Sequence, residues 1–438
     1  MAALSRAIRE TTAGLPRQFW WLWTSTLVNR LGGFVVTFLA LYLTVDRGYS
    51  ASYAGLVAAL YGLGGAGGAV LGGVLADRVG RRSTLLVAQI GAAATTAVLG
   101  LVTHPAAIAC VAALAGLTSN ASRPALQAMI ADLVPPADRV RAFALNYWAI
   151  NIGFGVSAAA AGFIAEVGYL WLFLGDALTT VLCALVVYAK ARETLPAREP
   201  HTPDPARPAK DVRETRLADV LRDQRFMALV ALTFLLGSVM QQGNSTLAVD
   251  MGDHGLSARQ FGLVAAINGV LIVILQIPVT RLLRDRSTAG LLAAGSLLAC
   301  WGFGLTAFAG TVGMYALTVV VWTVGEIVHA PASMSVVADL APARARGRYQ
   351  GMYTLAWSAA SFAGPLAGGL TLDLLGRDAV WAGCALVGTV TAAGYYVLLR
   401  TRHAPVAVPV PAAPAQAAAP ADPHPQDVPA REAGAPGR

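Results

Sequence analysis

Charge is scarce in this chain. Of 438 residues only 13% are Asp, Glu, Lys or Arg, while 56% are hydrophobic. A soluble domain carries about 25% charged residues, so the shortage excludes an ordinary water-facing surface. Cysteine is scarcer still. Cys110, Cys183, Cys300 and Cys384 all fall inside apolar stretches, with neither a disulfide framework nor metal-ligand spacing, and they read as small core residues. No Gly-x-x-x-x-Gly-Lys-Ser/Thr loop is present, which excludes ATP-driven work by this chain alone. The chain also lacks a His-Glu-x-x-His pair and any nucleophile–base pair, which argues against an intramembrane enzyme. No metal or cofactor is expected. The basic start (Arg6, Arg9, Arg17) leads into a long apolar segment from Phe19. No short apolar core with a small-residue cleavage site intervenes, so the first span is expected to be retained.

What the chain does have is long apolar runs. Twelve of them match the roughly 18 or more residues that cross a bilayer. Their limits are 19–45, 52–76, 83–103, 106–133, 142–165, 169–189, 226–250, 259–283, 288–309, 313–337, 349–374 and 379–399. The expected fold is an all-α membrane protein. The net charge of +8 is dispersed over alternate loops and forms no groove-like patch, so no nucleic acid is expected. One set of loops carries Arg78, Arg81 and Arg82; Arg139 and Arg141; Arg281, Arg284 and Arg286; and Arg344, Arg346 and Arg348. The opposite set carries only Arg47, Arg259 and Arg377. The positive-inside rule then places both termini in the cytoplasm of a multi-pass inner-membrane protein. Between spans 6 and 7 the loop 190–225 is proline-rich and then charged, an extended linker with a short amphipathic end. The tail 401–438 is rich in Pro and Ala and is expected to be disordered.

The chain repeats itself. Displaced by 207 residues, Gly55–Ala59 falls on Gly262–Ala266, Pro124-Ala125 on Pro331-Ala332, Ala131–Leu133 on Ala338–Leu340, and Gly162 on Gly369. One register across four span pairs implies two equivalent halves, 1–189 and 226–400. A binding cavity near the bilayer midplane, between the halves, follows from such a repeat.

The most specific motif lies between spans 2 and 3: Gly73-Val-Leu-Ala-Asp77-Arg78-Val-Gly80-Arg81-Arg82. A loop this short must turn sharply, and Gly80 can take the positive φ that such a turn needs. Its Gly-x-x-x-Asp-Arg-x-Gly-Arg-Arg spacing resembles the loop 2–3 signature of the major facilitator superfamily. The resemblance implies two pseudo-symmetric six-helix bundles. It further implies that Asp77 faces the start of span 11 near Gly351 and that Arg81 pairs with Asp132, holding the halves together on the cytoplasmic side. The alternative is that these charges only enforce topology.

Charged residues inside spans need a partner or a role, because each costs about 2.5–3.5 kcal/mol at mid-bilayer. Arg30 lies in span 1 beside Asn29; Arg123 lies in span 4 with Asn120 and Gln127; Glu326 lies in span 10 with Trp322 and His329. Each triplet shares one helical face. The superfamily lines its cavity with spans 1, 4, 7 and 10, which implies that the three converge. Around Glu326 the Gly-Glu-x-x-x-x-Pro string resembles drug/proton antiporters, making Glu326 the leading proton-coupling candidate; a static pair with Arg30 is the alternative. Arg30, Arg123, Asp176 and His329 are further coupling candidates, the last two with structural hydrogen bonding as the alternative. Asn151, Gln241, Gln242, Asn268 and Trp357 complete the candidate cavity lining, with interhelical bonding as the alternative. The glycines of span 2 are expected to serve packing against span 11.

Two departures stand against the antiporter pattern. Its span 5 signature Gly-Pro-x-x-Gly-Gly is Ser157–Gly162 here, without proline, and reappears in span 11 as Gly364-Pro365-Leu-Ala-Gly368-Gly369. The span 4 arginine motif has Gln127 one residue late, followed by Ala128. The expectation is a secondary transporter, working as a monomer in the lipid bilayer, that couples protons to efflux of small amphipathic organic compounds. Uptake or facilitated movement of an organic anion is the rival, and a ligand-binding membrane sensor is the rival of another class.

Overall fold

The structure is a computed structural model describing residues 14–135, 138–194, 217–283, 286–341 and 346–400. The linker beyond 194 and the tail from 401 lie outside the described residues. Every regular element among the described residues is helical. Span 1 is broken into Arg17–Leu31 and Val35–Leu41, followed by a wide turn over Tyr42–Asp46. Spans 2 to 6 are Ala51–Arg78, Arg81–Leu101, Pro105–Leu133, Arg139–Val167 and Tyr169–Lys190. After a short helix, Leu217–Arg222, span 7 comprises Gln224–Met240, a tight turn Gln241–Asn244 and Thr246–Asp253. Spans 8 to 12 are Ala258–Leu282, Thr288–Gly304, Val312–Leu340, Arg346–Leu375 and Arg377–Leu399.

Eleven described helices are long and apolar enough to cross a membrane. Span 11, expected as the twelfth, has the length, at 30 residues, but Gln, Ser, Thr and Gly dilute its sequence.

The repeat governs the packing. Span 4 packs on spans 2 and 3, span 3 on span 6, and span 1 on spans 5 and 6; span 10 packs on spans 8 and 9, span 9 on span 12, and span 7 on spans 11 and 12. Two further pairs join one set of six to the other: span 2 with span 11, and span 5 with span 8. These two seams are equivalent under the 207-residue displacement, and both are closed by glycine. Gly55 rests on the carbonyl of Pro365 beside Gly369, and Gly262 rests on the carbonyl of Ala158 beside Gly162. A Cβ on Gly269 would lie 2.8 Å from Gly155 N and 2.9 Å from Asn151 O. Small residues let two backbones meet where lipid supplies no hydrophobic drive.

The glycine face of span 2 divides its work. Gly55 and Gly62 do meet span 11, at Pro365 and Ser361. Gly64, Gly68 and Gly72 instead meet the backbone of span 4, at Ala113, Leu117 and Ala121. Eight glycines spread over 28 residues cannot all share one side at 3.6 residues per turn, so span 2 presents small residues to both neighbours.

The break in span 1 has a local cause. Gly32 packs so closely on Thr179 of span 6 that no Cβ fits. The second piece then starts with a free amide at Val35, which donates to Asp176 Oδ2 at 3.3 Å. Thr180 holds the other carboxylate oxygen at 3.5 Å. A carboxylate at a helix start satisfies an orphan donor and the helix dipole together.

Two outcomes test these contacts. Gly269→Leu forces side-chain atoms into the span 5 backbone and is expected to destabilise the protein by about 1–3 kcal/mol, as overpacking does; Gly67→Ala, whose added Cβ meets nothing within 4 Å, leaves the unfolding midpoint in detergent unchanged or slightly raised. Asp176→Ala removes the cap and costs about 1 kcal/mol, whereas Asp176→Asn, which retains an acceptor for Val35, keeps most of it in the same thermal scan.

Candidate functional site

The signature loop folds as its sequence demands. Gly80 takes φ +122° between spans 2 and 3, and Arg81 forms an ion pair with Asp132 at the end of span 4. Arg81 Nη1 also donates to the carbonyl of Ala128 at 3.3 Å. A partner absent from the sequence reading is Glu193, just beyond span 6. It accepts from the backbone N–H groups of Arg81 at 2.8 Å and Arg82 at 3.1 Å, and a Cβ at Gly80 would lie 2.6 Å from its Oε2. The signal for it was an acid beside a helix end facing a helix start that has no acid of its own. Arg82 donates to the carbonyl of Tyr188 at 2.7 Å and covers its ring. Gly73 faces Pro124 of span 4, and Arg78 is exposed.

Asp77 does not reach span 11 in this state. It is exposed and makes no hydrogen bond or ion pair among the described residues, and Gly351 has no atom within 4 Å of an added Cβ. The two sets of spans touch instead at the far face, opposite this loop. There Ala51 and Ser52 meet Asp373, the rings of Phe38 and Phe261 stack edge to face at 5.2 Å, and Arg259 covers the ring of Phe163 at 4.5 Å. Among the described residues, the hydrogen bonds and ring contacts between the sets lie toward the far face and none lies at the loop face.

Polar side chains from both sets gather at mid-span. In the first set, Arg30 shares an electrostatic neighbourhood with Arg123 of span 4, Tyr61 of span 2 and Asp176 of span 6. Gly153 of span 5 lies hard against the backbone of Arg30, with an added Cβ 3.1 Å from its carbonyl carbon. Arg123 and Gln127 are exposed on one side of span 4, and Arg123 makes no ion pair among the described residues. Asn29 donates to Thr180 at 3.4 Å, and Asn120 to the carbonyl of Gly116 at 3.0 Å; both are half-buried.

In the second set, Glu326 accepts a hydrogen bond from Asn268 Nδ2 at 3.0 Å, and the same amide donates to Thr323 at 3.1 Å. Tyr147 of span 5, from the first set, lies within electrostatic reach of Glu326. Tyr147 is 43% exposed, and Asn151 bonds to its carbonyl at 2.9 Å. The pair between Glu326 and Arg30, the alternative to proton coupling, does not form, and no cation lies within ion-pair distance of Glu326 among the described residues. Tyr147 went unpredicted because a tyrosine in an apolar helix carries no pattern of its own.

Several candidates point elsewhere. Trp322 stacks on Phe303 of span 9 at 5.0 Å, and His329 is buried against Gly295 of span 9 and Tyr395 of span 12. Seven residues apart, these two differ by only about 20° around the helix. Glu326, between them, lies at the edge of that face and meets span 8 instead. Gln242 is buried and fully bonded: its amide donates to Ser238 O and Gly364 O, both at 2.9 Å, and its carbonyl accepts from Thr246 at 2.6 Å. It bridges the turn in span 7 and ties it to span 11. Gln241 lies against Gly364, and Trp357 against Gly237; both are half-buried.

The far face holds a second polar group outside the sequence reading. Asp250, 1% exposed, accepts from Arg377 Nε at 2.7 Å and Nη2 at 3.2 Å, and from Tyr315 OH at 2.7 Å. Arg377 also donates to the carbonyls of Thr306, Ala307 and Ala309, so it clamps the ends of spans 7, 9 and 12. Asp250 and Arg377 border a cavity of about 540 Å³ that Asp253 and Asp373 also line.

Comparison with known proteins agrees with this architecture. The family model described as Major Facilitator Superfamily matches residues 22–365 and 324–428. The chain is 26% identical over 386 residues to the uncharacterized MFS-type transporter YqjV of Bacillus subtilis (strain 168), covering 84% of this chain and 91% of the relative. It is 28% identical over 351 residues to the multidrug resistance protein MdtH of Shigella boydii serotype 4, covering 78% and 84%. Among solved structures, a POT family transporter in complex with 5-aminolevulinic acid superposes with a TM-score of 0.74 at 17% identity, covering 89% of this chain and 96% of that one. The nucleoside transporter NupG gives 0.72 at 15%, covering 87% and 100%. Signature loop, repeated halves and glycine seams thus have one account: the chain belongs to the Major Facilitator Superfamily and is a membrane transporter, not an enzyme.

Proposed function

We propose that this transporter exports small amphipathic organic compounds in exchange for protons, by rocking its halves 1–189 and 226–400 about the two seams. The observation that carries the reading is Glu326: a carboxylate at mid-span, within electrostatic reach of Tyr147 of the other half, bonded to Asn268 and without a cation among the described residues. A bare carboxylate there is costly when charged. It therefore takes a proton or a cationic compound in turn, and a group that holds one at a time exchanges one for the other. The resemblance to a multidrug resistance protein supports efflux. On this reading the loop face is cytoplasmic, as the arginine bias requires, both termini lie on that side, and the state described here is open to the cytoplasm of an inner-membrane protein. Arg81–Asp132 and the Glu193 cap keep the signature loop folded while Asp77 waits for span 11. Asp176 serves as a helix cap and His329 as a packing group.

A second reading has its own observation. Arg30 and Arg123 are neighbours, and Arg123 is exposed and unpaired among the described residues. Two cations near one carboxylate favour an anionic substrate, moved by uptake or facilitated transport.

The discriminating experiment uses inside-out vesicles energised to an acidic interior and a pH-quenched dye. Cationic compounds are expected to restore fluorescence, and Glu326→Gln to abolish the response while the protein still inserts; a full response in Glu326→Gln overturns proton coupling through this residue. Arg123→Gln is expected to leave the response to cations intact. If labelled organic anions instead enter proteoliposomes and Arg123→Gln stops them, the second reading replaces the first.

A further inference from the structure

Each seam ends at the far face with an acid on a helix start. Asp373, near the end of span 11, accepts from the backbone N–H of Ala51 at 3.2 Å, from that of Ser52 at 2.7 Å, and from the Ser52 hydroxyl. Under the 207-residue displacement Asp373 falls on Glu166, and Ser50 on Ser257. Glu166 accepts from the Ser257 hydroxyl at the start of span 8, at 3.5 Å.

The two ends are unequal, and the reason is local. Span 8 has its own capping box, in which Gln260 takes the N–H of Ser257 at 2.8 Å and Ser257 takes that of Gln260 at 3.3 Å. Span 2 has Tyr53 where span 8 has Gln260, and the amides of Ala51 and Ser52 go to Asp373. Charge-assisted bonds to a helix start are the strong kind, and these three run from one half to the other.

The two helices of this seam are antiparallel, so each end of one lies by the start of the other. Asp77 stands near the end of span 2, and its expected partner is the start of span 11. Asp373 stands near the end of span 11 and is bonded to the start of span 2. Here Asp373 is engaged and Asp77 is free among the described residues.

We propose that Asp373 is the latch of the far face: its bonds to Ala51 and Ser52 hold the halves together there, and their release opens that face while Asp77 closes the other. The proposal rests on the rocking mechanism above but not on protons or on any substrate. Spin labels report both faces. On the far face they sit at Leu101 and Phe308, and on the loop face at Val79 and Leu282, all exposed. Cys110→Ser removes the exposed native thiol, the other three being buried. Pulsed-dipolar distances are measured on purified protein without added compound.

Asp373→Asn is expected to raise the long-distance population of the far-face pair about tenfold, the effect of one charge-assisted bond, and to shorten the loop-face pair in step. Ser52→Ala, which keeps both amide bonds, moves both pairs the same way by less, and decides the matter if Asp373→Asn does not fold. Two results overturn the latch: far-face distances unchanged from the parent, or a far-face pair that lengthens while the loop-face pair stays still, which is local fraying. Either leaves the export reading standing, and a failed transport assay leaves the latch standing.

Discussion

The join between the two sets of spans rests on two places where backbone meets backbone with no side chain between. Lipid gives helices no reason to associate as water does, so contact must come from close approach. Gly55 and Gly369 supply it between spans 2 and 11, and Gly262, Gly162, Gly155 and Gly269 supply it between spans 5 and 8. Because the seams hold without interlocking side chains, neighbouring faces are left to polar groups. Tyr147 of one set and Glu326 of the other, with Asn268 bonded to the carboxylate, lie within electrostatic reach across the sets.

The fold was legible in the sequence to an unusual depth, and for a physical reason. A membrane span announces itself by length and apolarity, loop arginines orient it, and a gene-length repeat survives as matched glycines and prolines. The sequence reading placed span 2 against span 11 but did not pair spans 5 and 8, although the 207-residue register relates Gly55 to Gly262 and Gly162 to Gly369, the glycines that close the two seams. Gly80 was legible because turn geometry is local, and the Arg81–Asp132 pair because the loop signature resembles a known family's.

The site was less legible. Helical periodicity says which residues share a face but not which neighbour that face meets. It grouped Trp322, Glu326 and His329, yet two of them pack on spans 9 and 12. Gln242 had the composition of a cavity residue and instead mends the turn in its own helix. Asp250 and Glu193 sit at helix ends, where a sequence shows only a charge near a boundary and gives no hint of a partner more than a hundred residues away. Breaks in spans 1 and 7 were equally silent, since they depend on Thr179 crowding Gly32 and on Gln242 spanning the gap.

The seams also set the mechanical scale of any motion. They touch from the far face down to about Gly62 and Gly269 and then part. From Gly62 to Arg78 at the loop face is about 24 Å of helix, at 1.5 Å per residue. A hinge so placed has one long arm and one short arm. A tilt of about 10° then sweeps the loop ends through about 4 Å and the far ends, about 16 Å from Gly62, through about 3 Å, by those same lengths. For one and the same tilt the loop face of such a molecule gapes more widely than the far face.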